Sequence, residues 1–443
     1  MTKQARRVLA AASAAPFLLL LPGCGAGGGN DASAVPVAET AGAAGPSTTA
    51  GPGADTGMGA AANPSGAAAS PSGPAATATA VPRNPGGTVR VVGPGHPYRT
   101  PCQAIGAARA GDTVQIDARG NGGYDGDVCG WSTRGLMIVG FNGRARIDAA
   151  GRNSQGKATW VIAGSDTVVD NVELSGSTVP DGNGAAIRQE GAGLTVRHSY
   201  LHDNQNGILA GDNASSDIVV ESTEFARNGA GDGYTHNMYI NHVRSFTLRY
   251  SWSHDAKVGH LVKSRALVND ILYNRITGQG GSDSYEIDLP NGGRSRIIGN
   301  VIQQGAATQN PTIIAFGEEG ASNPDSRLSV VNNTIVNDLG KGTAIAVGGS
   351  VGAGALVQNN ILVGGGTLVT QSGASVAGNC TTADPRFAGR SRYDYHLGAG
   401  SPCVDRGTTP AAGVRPSAQY VHPLSHTGRA VKGSAIDAGA FER

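Results

Sequence analysis

The stretches VVNNTIVND (residues 330–338), VQNNILVGG (357–365) and IIGNVIQQG (297–305) share one pattern. In each of them an Asn is followed two positions later by an aliphatic residue, within a short run rich in Val, Ile or Leu. Runs of four to six such residues, separated by Gly- and Asn-containing turns, are typical of β-strands and too short for independent helices. The pattern therefore predicts short strands that recur along the chain.

The same spacing continues upstream as a series of small polar residues. Successive members are separated by between 23 residues (Ser251 to Asn274) and 33 residues (Asn300 to Asn333), which is the range of solenoid repeats. Stacked in successive turns, these side chains are expected to hydrogen-bond from turn to turn. Repeats of this size predict about ten turns. The pairs are Ser199 with Leu201, Thr223 with Phe225, Asn274 with Ile276, Asn300 with Ile302, Asn333 with Ile335 and Asn360 with Leu362; Ser251 with Ser253 keeps only the spacing.

These repeats resemble the right-handed parallel β-helix of pectate-lyase-like proteins over residues 88–380. CQAIGAARAGDTVQI (102–116) is similar to the N-terminal cap of that family, a helix expected here to end near Gly111 and to cover an open sheet edge. DPRF, YHLGAGSPCVDRG and AIDAGAFE, within residues 381–443, resemble its C-terminal segment. The resemblance implies an all-β solenoid, a right-handed parallel β-helix with an N-terminal cap helix and an irregular C-terminal tail.

Residues 1–23 have the features of a bacterial lipoprotein signal. Three basic residues among the first seven precede an apolar run over residues 8–21, shorter than the roughly 20 residues of a membrane-spanning helix. LPGC at 21–24 resembles a lipobox, in which Cys24 is lipidated; an ordinary cleaved signal with an incidental Cys is the alternative. The resemblance to secreted bacterial lipoproteins implies a cell-envelope location, with a membrane anchor at Cys24 in the outer membrane or periplasm, or secretion.

Composition limits what the rest of the chain can do. Residues 24–87 are mostly Ala, Gly, Pro, Ser and Thr, a composition that cannot bury a core and predicts a disordered linker. The net charge is +1 and no long basic run occurs, which argues against nucleic acid as a partner. We expect the protein to act as a monomer.

The four cysteines downstream of the linker are expected to form disulfides, since an even number in an exported protein favours pairing. Three pairings are open. Proximity in sequence favours Cys102 with Cys129 and Cys380 with Cys403.

Strand alternation predicts which side chains face out of the solenoid. Aligning the turns on inward aliphatic residues gives one core column with a row of outward neighbours on each side. Because turns are about 4.8 Å apart, residues of one row are expected to be neighbours. The core column is Ile187, Ile208, Met238, Val262 and Ile287; the row after it is Arg188, Leu209, Tyr239, Lys263 and Asp288; the row before it is Ala186, Gly207, Asn237, Leu261 and Glu286.

The polar residues of these rows predict a site for an acidic polysaccharide. Elimination from a uronate polymer needs a group that neutralises the carboxylate, a base for the C5 proton and an acid for the leaving oxygen. We assign Arg265 and Asn241, two positions beyond Tyr239 and Lys263 in their strands, to the carboxylate. Lys263, beside a second cation, is assigned to the base, and Tyr239 or a His to the acid.

The histidines of HNMYIN (236–241) and GHLVKSR (259–265) stand at the start of their strands. His236 and His260 are either catalytic or hydrogen-bonded residues at a bend. Five further polar residues are expected to bind substrate. These are Asn237, Asn241, Arg188, Glu286 and Asp288.

Other functions remain open at this point. Glu286 and Asp288 are expected about 7 Å apart, a separation that suits an inverting glycoside hydrolase, and they could instead bind calcium, although we expect no cofactor. The NTD, DD and GHG motifs of pectin hydrolases with this fold are absent. Lys263 could form an ion-pair ladder with Asp288 or Glu286 in a non-catalytic glycan-binding or structural protein. Glu318 and Glu319 either extend the site or solvate a loop.

Overall fold

The computed structural model describes residues 81–443. These residues form a parallel β-solenoid of about ten turns with almost no helix. Each complete turn contributes a strand to each of three parallel sheets, which we name the first, second and third sheet in the order of their strands within a complete turn, as in residues 137–162. The expected fold class is confirmed. The signal segment at 1–23, Cys24 and most of the linker at 24–87 lie outside the described residues.

The sheets have twelve, ten and ten strands, respectively. The first sheet comprises Val89–Val92, Thr113–Asp117, Met137–Phe141, Thr167–Asp170, Leu194–Arg197, Asn213–Glu221, Val243–Arg249, Val268–Leu272, Arg294–Ile298, Arg327–Val331, Leu356–Gln358 and Ser375–Ala377. The second comprises Ala145–Asp148, Val172–Ser175, Tyr200–His202, Glu224–Ala226, Trp252–His254, Arg275–Thr277, Val301–Gln304, Thr334–Asn337, Ile361–Val363 and Cys380–Thr381. The third comprises Cys129–Trp131, Ala158–Ile162, Ala185–Gln189, Asn206–Ala210, Met238–Ile240, Lys263–Ser264, Ile287–Leu289, Thr312–Phe316, Thr343–Val347 and Thr367–Val369.

The predicted series of small polar residues forms a hydrogen-bonded ladder at the corner between the first and second sheets. The backbone N–H of Ser251 donates to Oδ1 of Asn274 at 3.0 Å, and that of Asn274 donates to Oδ1 of Asn300 at 2.9 Å. At the C-terminal end the N–H of Asn360 donates to Asn379 at 2.8 Å, so the ladder extends one turn beyond the predicted series. Because every bond joins one turn to the next, the ladder fixes the register of the solenoid while satisfying buried polar groups.

The N-terminal cap helix spans Pro101–Gly106, so its expected end near Gly111 is wrong. Beyond Gly106 the chain turns, and the Asp112 carboxylate accepts the backbone N–H of Arg109 at 2.9 Å. Gly111 itself has φ +80°, a left-handed conformation that a right-handed helix does not contain. The helix still packs on the first strands, where it covers the open end of the solenoid.

Both disulfides join the cysteines that are close in sequence. The Cα atoms of Cys102 and Cys129 are 5.8 Å apart, and those of Cys380 and Cys403 are 5.5 Å apart. The expected pairing is therefore confirmed. Two disulfides suit an oxidising compartment outside the cytoplasm.

Residues 381–443 are less irregular than the resemblance implies, because they contain two antiparallel hairpins and pack on the second sheet. Tyr395 and Phe441 of this C-terminal segment bury Val301 and Val336 of that sheet. The hairpins pair Phe387–Gly389 with Asp394–Leu397 and Ala418–Val421 with Ser425–Gly428. Single 3-10 turns occur at Ala118–Gly120, Arg390–Arg392 and Ala412–Val414.

The chain is attached to the solenoid before residue 88. The backbone N–H of Asn84 donates to Oγ1 of Thr113 at 2.9 Å, and its side-chain amide donates to the carbonyl of Gly135 at 2.8 Å. Within residues 81–443, none of the helices has the length and apolar character needed to cross a membrane.

Candidate functional site

The third sheet has the predicted register at its centre. Tyr239 pairs with Lys263, and Lys263 pairs with Asp288, on three consecutive turns. Their inward neighbours are fully buried, whereas Tyr239 and Lys263 retain partial exposure. The alignment on core residues therefore brought together a phenol, an ammonium and a carboxylate from positions about 25 residues apart, as expected.

An ion-pair network links the cations of this sheet to two carboxylates. Nζ of Lys263 lies 3.0 Å from Oδ2 of Asp288 and 3.7 Å from Oε1 of Glu319. Nη2 of Arg265 lies 2.7 Å from Oε2 of Glu319. One carboxylate thus bridges both cations, which project from neighbouring outward positions of one chain segment. We name Tyr239, Lys263, Arg265, Asp288 and Glu319 the third-sheet cluster.

The side chains of this cluster differ in exposure. The Lys263 side chain is 12% exposed and that of Asp288 is 6% exposed, whereas that of Glu319 is 45% exposed. Burial raises the pKa of Asp288, and the Lys263 ammonium opposes that shift. The Lys263–Asp288 pair is therefore a largely buried component, and Glu319 covers it from the solvent side.

Arg265 also orients the phenol of the cluster. Its Nε donates to the Tyr239 hydroxyl at 2.9 Å, and its Nη1 donates to Oδ1 of Asn291. The Tyr239 ring in turn lies 5.8 Å from both Nζ of Lys263 and Cζ of Arg265, within the range of cation–π attraction. The hydroxyl thus accepts one hydrogen bond from a cation and keeps its own proton free to donate.

His236 and His260 lie beside the cluster as a stacked pair, with ring centroids 4.4 Å apart. Nδ1 of His236 accepts the backbone N–H of His260 at 3.0 Å, and Nδ1 of His260 accepts that of Tyr285 at 3.4 Å. These bonds place the proton of each neutral ring on Nε2. Burial, reinforced for both rings by the nearby cations Lys263 and Arg265, lowers the pKa of both histidines well below its usual range.

Since Nδ1 of each ring already accepts a backbone N–H and Nε2 carries the proton, each ring can donate a hydrogen bond but has no free nitrogen lone pair to act as a base. Nε2 of His260 faces Oδ2 of Asp288 at 3.6 Å, and the His236 ring packs edge-on to Tyr239. The histidines are therefore placed to orient two members of the cluster.

The expected outward position of Asn237 is wrong, because this residue is fully buried. It precedes the strand Met238–Ile240, at the bend where strand alternation is interrupted. Its Oδ1 accepts from the Asn228 amide at 3.0 Å, and its own amide donates to the Ser253 hydroxyl at 3.1 Å. Asn237 thus belongs to a second internal polar ladder, and substrate on the surface cannot reach it.

Glu286 is likewise buried, so its expected place beside Asp288 on the surface is wrong. It precedes the strand Ile287–Leu289 and turns inward to a second buried acid, Asp283; both residues have 0% exposure. Burial raises the pKa of Asp283 to about 7 and that of Glu286 well above its ordinary value. Glu286 and Asp288 therefore do not form a surface pair for inverting hydrolysis or for calcium.

Residues 81–443 contain no group of three or more His, Cys, Asp or Glu side chains that could hold a metal ion. Glu286 and Asp288 therefore do not belong to such a group in this part of the chain.

Arg188 lies away from the central contacts, whereas Asn241 lies next to Arg265 in the register and its side-chain oxygen is engaged locally. Arg188 occupies the predicted row, but Leu209 separates it from Tyr239, and its Nε lies 3.6 Å from Oε1 of Glu190. Glu190 also pairs with Lys157 at 2.5 Å. Asn241 uses its Oδ1 to accept the backbone N–H of His242 at 2.9 Å.

Sequence reasoning did not place Glu319 and Asn291 at the cluster. Both follow third-sheet strands, in loops whose length differs from turn to turn. The signal available was the acidic pair in FGEEG (316–320), which offers carboxylates one turn beyond Asp288. Of its two glutamates the second contacts the cations.

No family model matches the sequence, and no curated protein matches it either. Among solved structures, the chain is similar to a crystal structure of pectate lyase Pel9A, with 14% identity, a TM-score of 0.49, and coverage of 81% of this chain and 98% of that chain. A likeness at this level carries no information about individual residues. The strand pairing described above establishes the fold independently.

Proposed function

We propose that this protein is a polysaccharide lyase that cleaves an acidic polysaccharide by β-elimination on its third sheet. The observation that carries the proposal is the convergence of Lys263 and Arg265 on one carboxylate, that of Glu319. Two cations held at this spacing form a receptor for a carboxylate. A uronate residue of the polymer carries such a group next to the carbon that loses its proton.

Glu319 occupies the place that a substrate carboxylate would take. Among the charged side chains of the third-sheet cluster, that of Glu319 is the most exposed. It comes from a turn flanked by Gly317 and Gly320. Exposed pairs contribute only about 0.2–1 kcal/mol, so displacement of Glu319 by a polymer carboxylate costs little. Lys263 would keep its buried partner Asp288 throughout.

In this proposal Lys263 and Arg265 neutralise the uronate carboxylate, so that charge developing on it as the C5 proton leaves is stabilised. Lys263 was expected to be the base, but its ammonium group is engaged by the Asp288 carboxylate at 3.0 Å. We therefore assign proton transfer to Tyr239, whose hydroxyl lies 2.9 Å from Nε of Arg265, so that a guanidinium faces the charge that forms on the oxygen.

The elimination starts from the Tyr239 phenolate, whose proton has been released to solvent. The phenolate oxygen takes the C5 proton, the C5–H electron pair forms a C4–C5 double bond, and the C4–O bond breaks. The phenol then gives that proton to the departing oxygen, which restores the phenolate. His236 and His260 act as positioning residues, because their Nδ1 atoms are engaged and their Nε2 atoms carry the protons.

A non-catalytic glycan-binding protein is the second candidate. The observation that favours it is that every charged side chain of the third-sheet cluster already has a protein partner. Such a cross-turn network could hold an anionic glycan, or the turns themselves, without reaction. The two candidates differ only in what happens to the polymer.

The test incubates the purified full chain with polygalacturonate, alginate and glucuronate-containing polymers, and follows the absorbance of the unsaturated product together with polymer length. Arg265→Ala is expected to abolish product formation, whereas Arg327→Ala, which removes an exposed arginine of the first sheet, is the matched control. A new double bond with shortening supports the lyase. Binding without shortening supports the second candidate, and neither binding nor cleavage across the panel contradicts both.

We further propose that the protein works in the cell envelope or outside the cell, with Cys24 as a lipid anchor. Two disulfides in the folded part support an oxidising compartment. Membrane fractionation of the native host, compared with a Cys24→Ser variant, measures the anchor. Unchanged membrane association of the variant would contradict it.

A further inference from the structure

A cavity lies where the C-terminal segment covers the second sheet. It has a volume of about 210 Å³. Arg275 and Val301 of the second sheet line one side, and aromatic side chains of the C-terminal segment, including Tyr393, Tyr395 and Phe441, line the other. We name it the Arg275 cavity. It is separate from the third-sheet cluster, with which it shares no lining residue.

Arg275 brings a poorly satisfied cation to this cavity. Its Nη1 donates to the carbonyl of Tyr393 at 3.3 Å, while its Nε is buried and has no hydrogen-bond partner. Among residues 81–443 no carboxylate lies within ion-pair distance of it. Burial lowers the pKa of Arg275, yet a guanidinium does not lose its proton in a protein. A half-buried cation without an ion pair is therefore left at the cavity wall.

Aromatic rings flank this guanidinium on two sides. Its Cζ lies 5.5 Å from the ring of Trp252 and 5.8 Å from that of Tyr393. The ring quadrupoles attract the cation, but they supply no hydrogen-bond acceptor in its plane. The carbonyl of Tyr393 is therefore the only acceptor that the described residues give this guanidinium, and Nε has none.

Tyr395 is the second unsatisfied group of the cavity. The residue is 2% exposed, and its hydroxyl is buried without a hydrogen-bond partner. The neighbouring Tyr420 differs, because its hydroxyl donates to the carbonyl of Pro423. The nearby Asp394 carboxylate is engaged by Nδ1 of His396 at 2.7 Å. The Tyr395 hydroxyl and Nε of Arg275 thus lie behind the cavity surface, and the half-buried Arg275 guanidinium is the group that brings an unpaired charge to the wall.

We propose that the Arg275 cavity binds a single uronic acid residue, with the carboxylate on Arg275 and the sugar ring against the aromatic wall. A carboxylate supplies the negative charge and the acceptor oxygens that a guanidinium without an ion pair lacks. The volume lies below the roughly 300 Å³ at which sites for drug-sized ligands begin, so it suits one sugar unit and not a chain. This inference does not depend on the cleavage reaction proposed above.

The experiment uses the full chain carrying Arg265→Ala, which removes the third-sheet receptor, and measures binding by isothermal titration calorimetry. The probes are galacturonate and glucuronate, with galactose, glucose and acetate as matched controls that lack the carboxylate or the ring. Uronates are expected to bind at least about tenfold more tightly than any control. Added Arg275→Met is expected to weaken uronate binding roughly 10- to 100-fold, and Tyr393→Leu, which removes a ring of the aromatic wall, several-fold.

Arg327→Met provides the control for removal of an exposed arginine, with unchanged affinity expected. Melting curves establish that each variant is folded, and Tyr393→Leu tests the site even if Arg275→Met disturbs packing. The proposal is overturned if folded protein does not bind uronates, if acetate or neutral sugars bind equally well, or if binding survives both cavity substitutions. Loss of lyase activity alone leaves this outcome unchanged, so the two proposals fail separately.

Discussion

The third-sheet cluster and the Arg275 cavity each contain a partly buried cation, but only the cation of the cluster has a carboxylate partner. In the cluster, Lys263 is 12% exposed and lies 3.0 Å from the Asp288 carboxylate. In the cavity, Arg275 has one backbone carbonyl and two aromatic rings as its neighbours. The paired cation is satisfied without a ligand, and a substrate must compete with Glu319 to reach it. A carboxylate ligand at Arg275 has no protein carboxylate to displace, so its attraction to the guanidinium is not offset by the loss of an existing ion pair.

The largest effect is expected from Tyr239→Phe, which tests whether the cluster is catalytic. If the phenol transfers the proton, kcat on the susceptible polymer should fall roughly 100- to 10,000-fold, with KM little changed because Lys263 and Arg265 remain. Initial rates of unsaturated-product formation measure it. Tyr250→Phe, at the end of a first-sheet strand, is the control. Equal rates for Tyr239→Phe and wild type would remove the phenol from the mechanism.

The Asp288→Ala variant tests the value of the buried pair. It leaves the Lys263 ammonium largely buried with only the more distant, exposed Glu319, and the free energy of unfolding should fall by about 3 kcal/mol. Urea unfolding gives the value. The exposed pair of Asp325 with Arg327 is the comparison, since Asp325→Ala should leave the urea midpoint close to that of wild type. Similar losses for the two variants would show that burial does not strengthen the cluster pair.

The acid pair Asp283–Glu286 lies between these two cases. Both carboxyl groups are buried, and their oxygens have no hydrogen-bond donor unless one of the two acids keeps its proton. Because burial raises the pKa of both, the folded state holds protons that the unfolded chain loses above pH 4. The contribution to stability is complete below about pH 4 and declines as the pH rises toward 7, the pKa of Asp283. Glu286, whose pKa is also raised by burial, contributes to the decline in the same direction.

Urea midpoints measured from pH 4 to pH 9 test this sign. The Glu286→Gln variant should lose less stability over that range than wild type, and Glu318→Gln, at an exposed carboxylate, should follow wild type. Parallel profiles for Glu286→Gln and wild type would show that the buried acids do not carry the pH dependence.

The smallest effect is expected from Arg275→Met. Since this guanidinium has no ion pair to lose, a side chain of similar length without charge should leave the free energy of unfolding within about 1 kcal/mol of wild type, or raise it. Measured beside Asp288→Ala in the same urea series, it gives the sharpest contrast between the two regions. A loss as large as that of Asp288→Ala would mean that Arg275 is satisfied within the protein.

The sequence was most informative where one residue type recurs at one place in every turn. The ladder through Asn274, Asn300 and Asn333 was predictable because each amide must face the next turn, so the repeat in sequence is also the repeat in space. The same alignment predicted the contact of Lys263 with Asp288. It failed at Asn237 and Glu286, which precede their strands at a bend, where outward and inward positions no longer alternate.

Sequence alone determined the solenoid, its register and the row that carries Tyr239, Lys263 and Asp288, because these follow from short-range alternation and from stacking of adjacent turns. Only the tertiary structure decided that Glu319 closes the network and that Arg275 meets Tyr393, since the first depends on the path of a loop and the second joins residues 118 positions apart. Neither contact is periodic. A repeat pattern specifies which turns are neighbours, whereas loops and the C-terminal segment are positioned by packing against the finished solenoid.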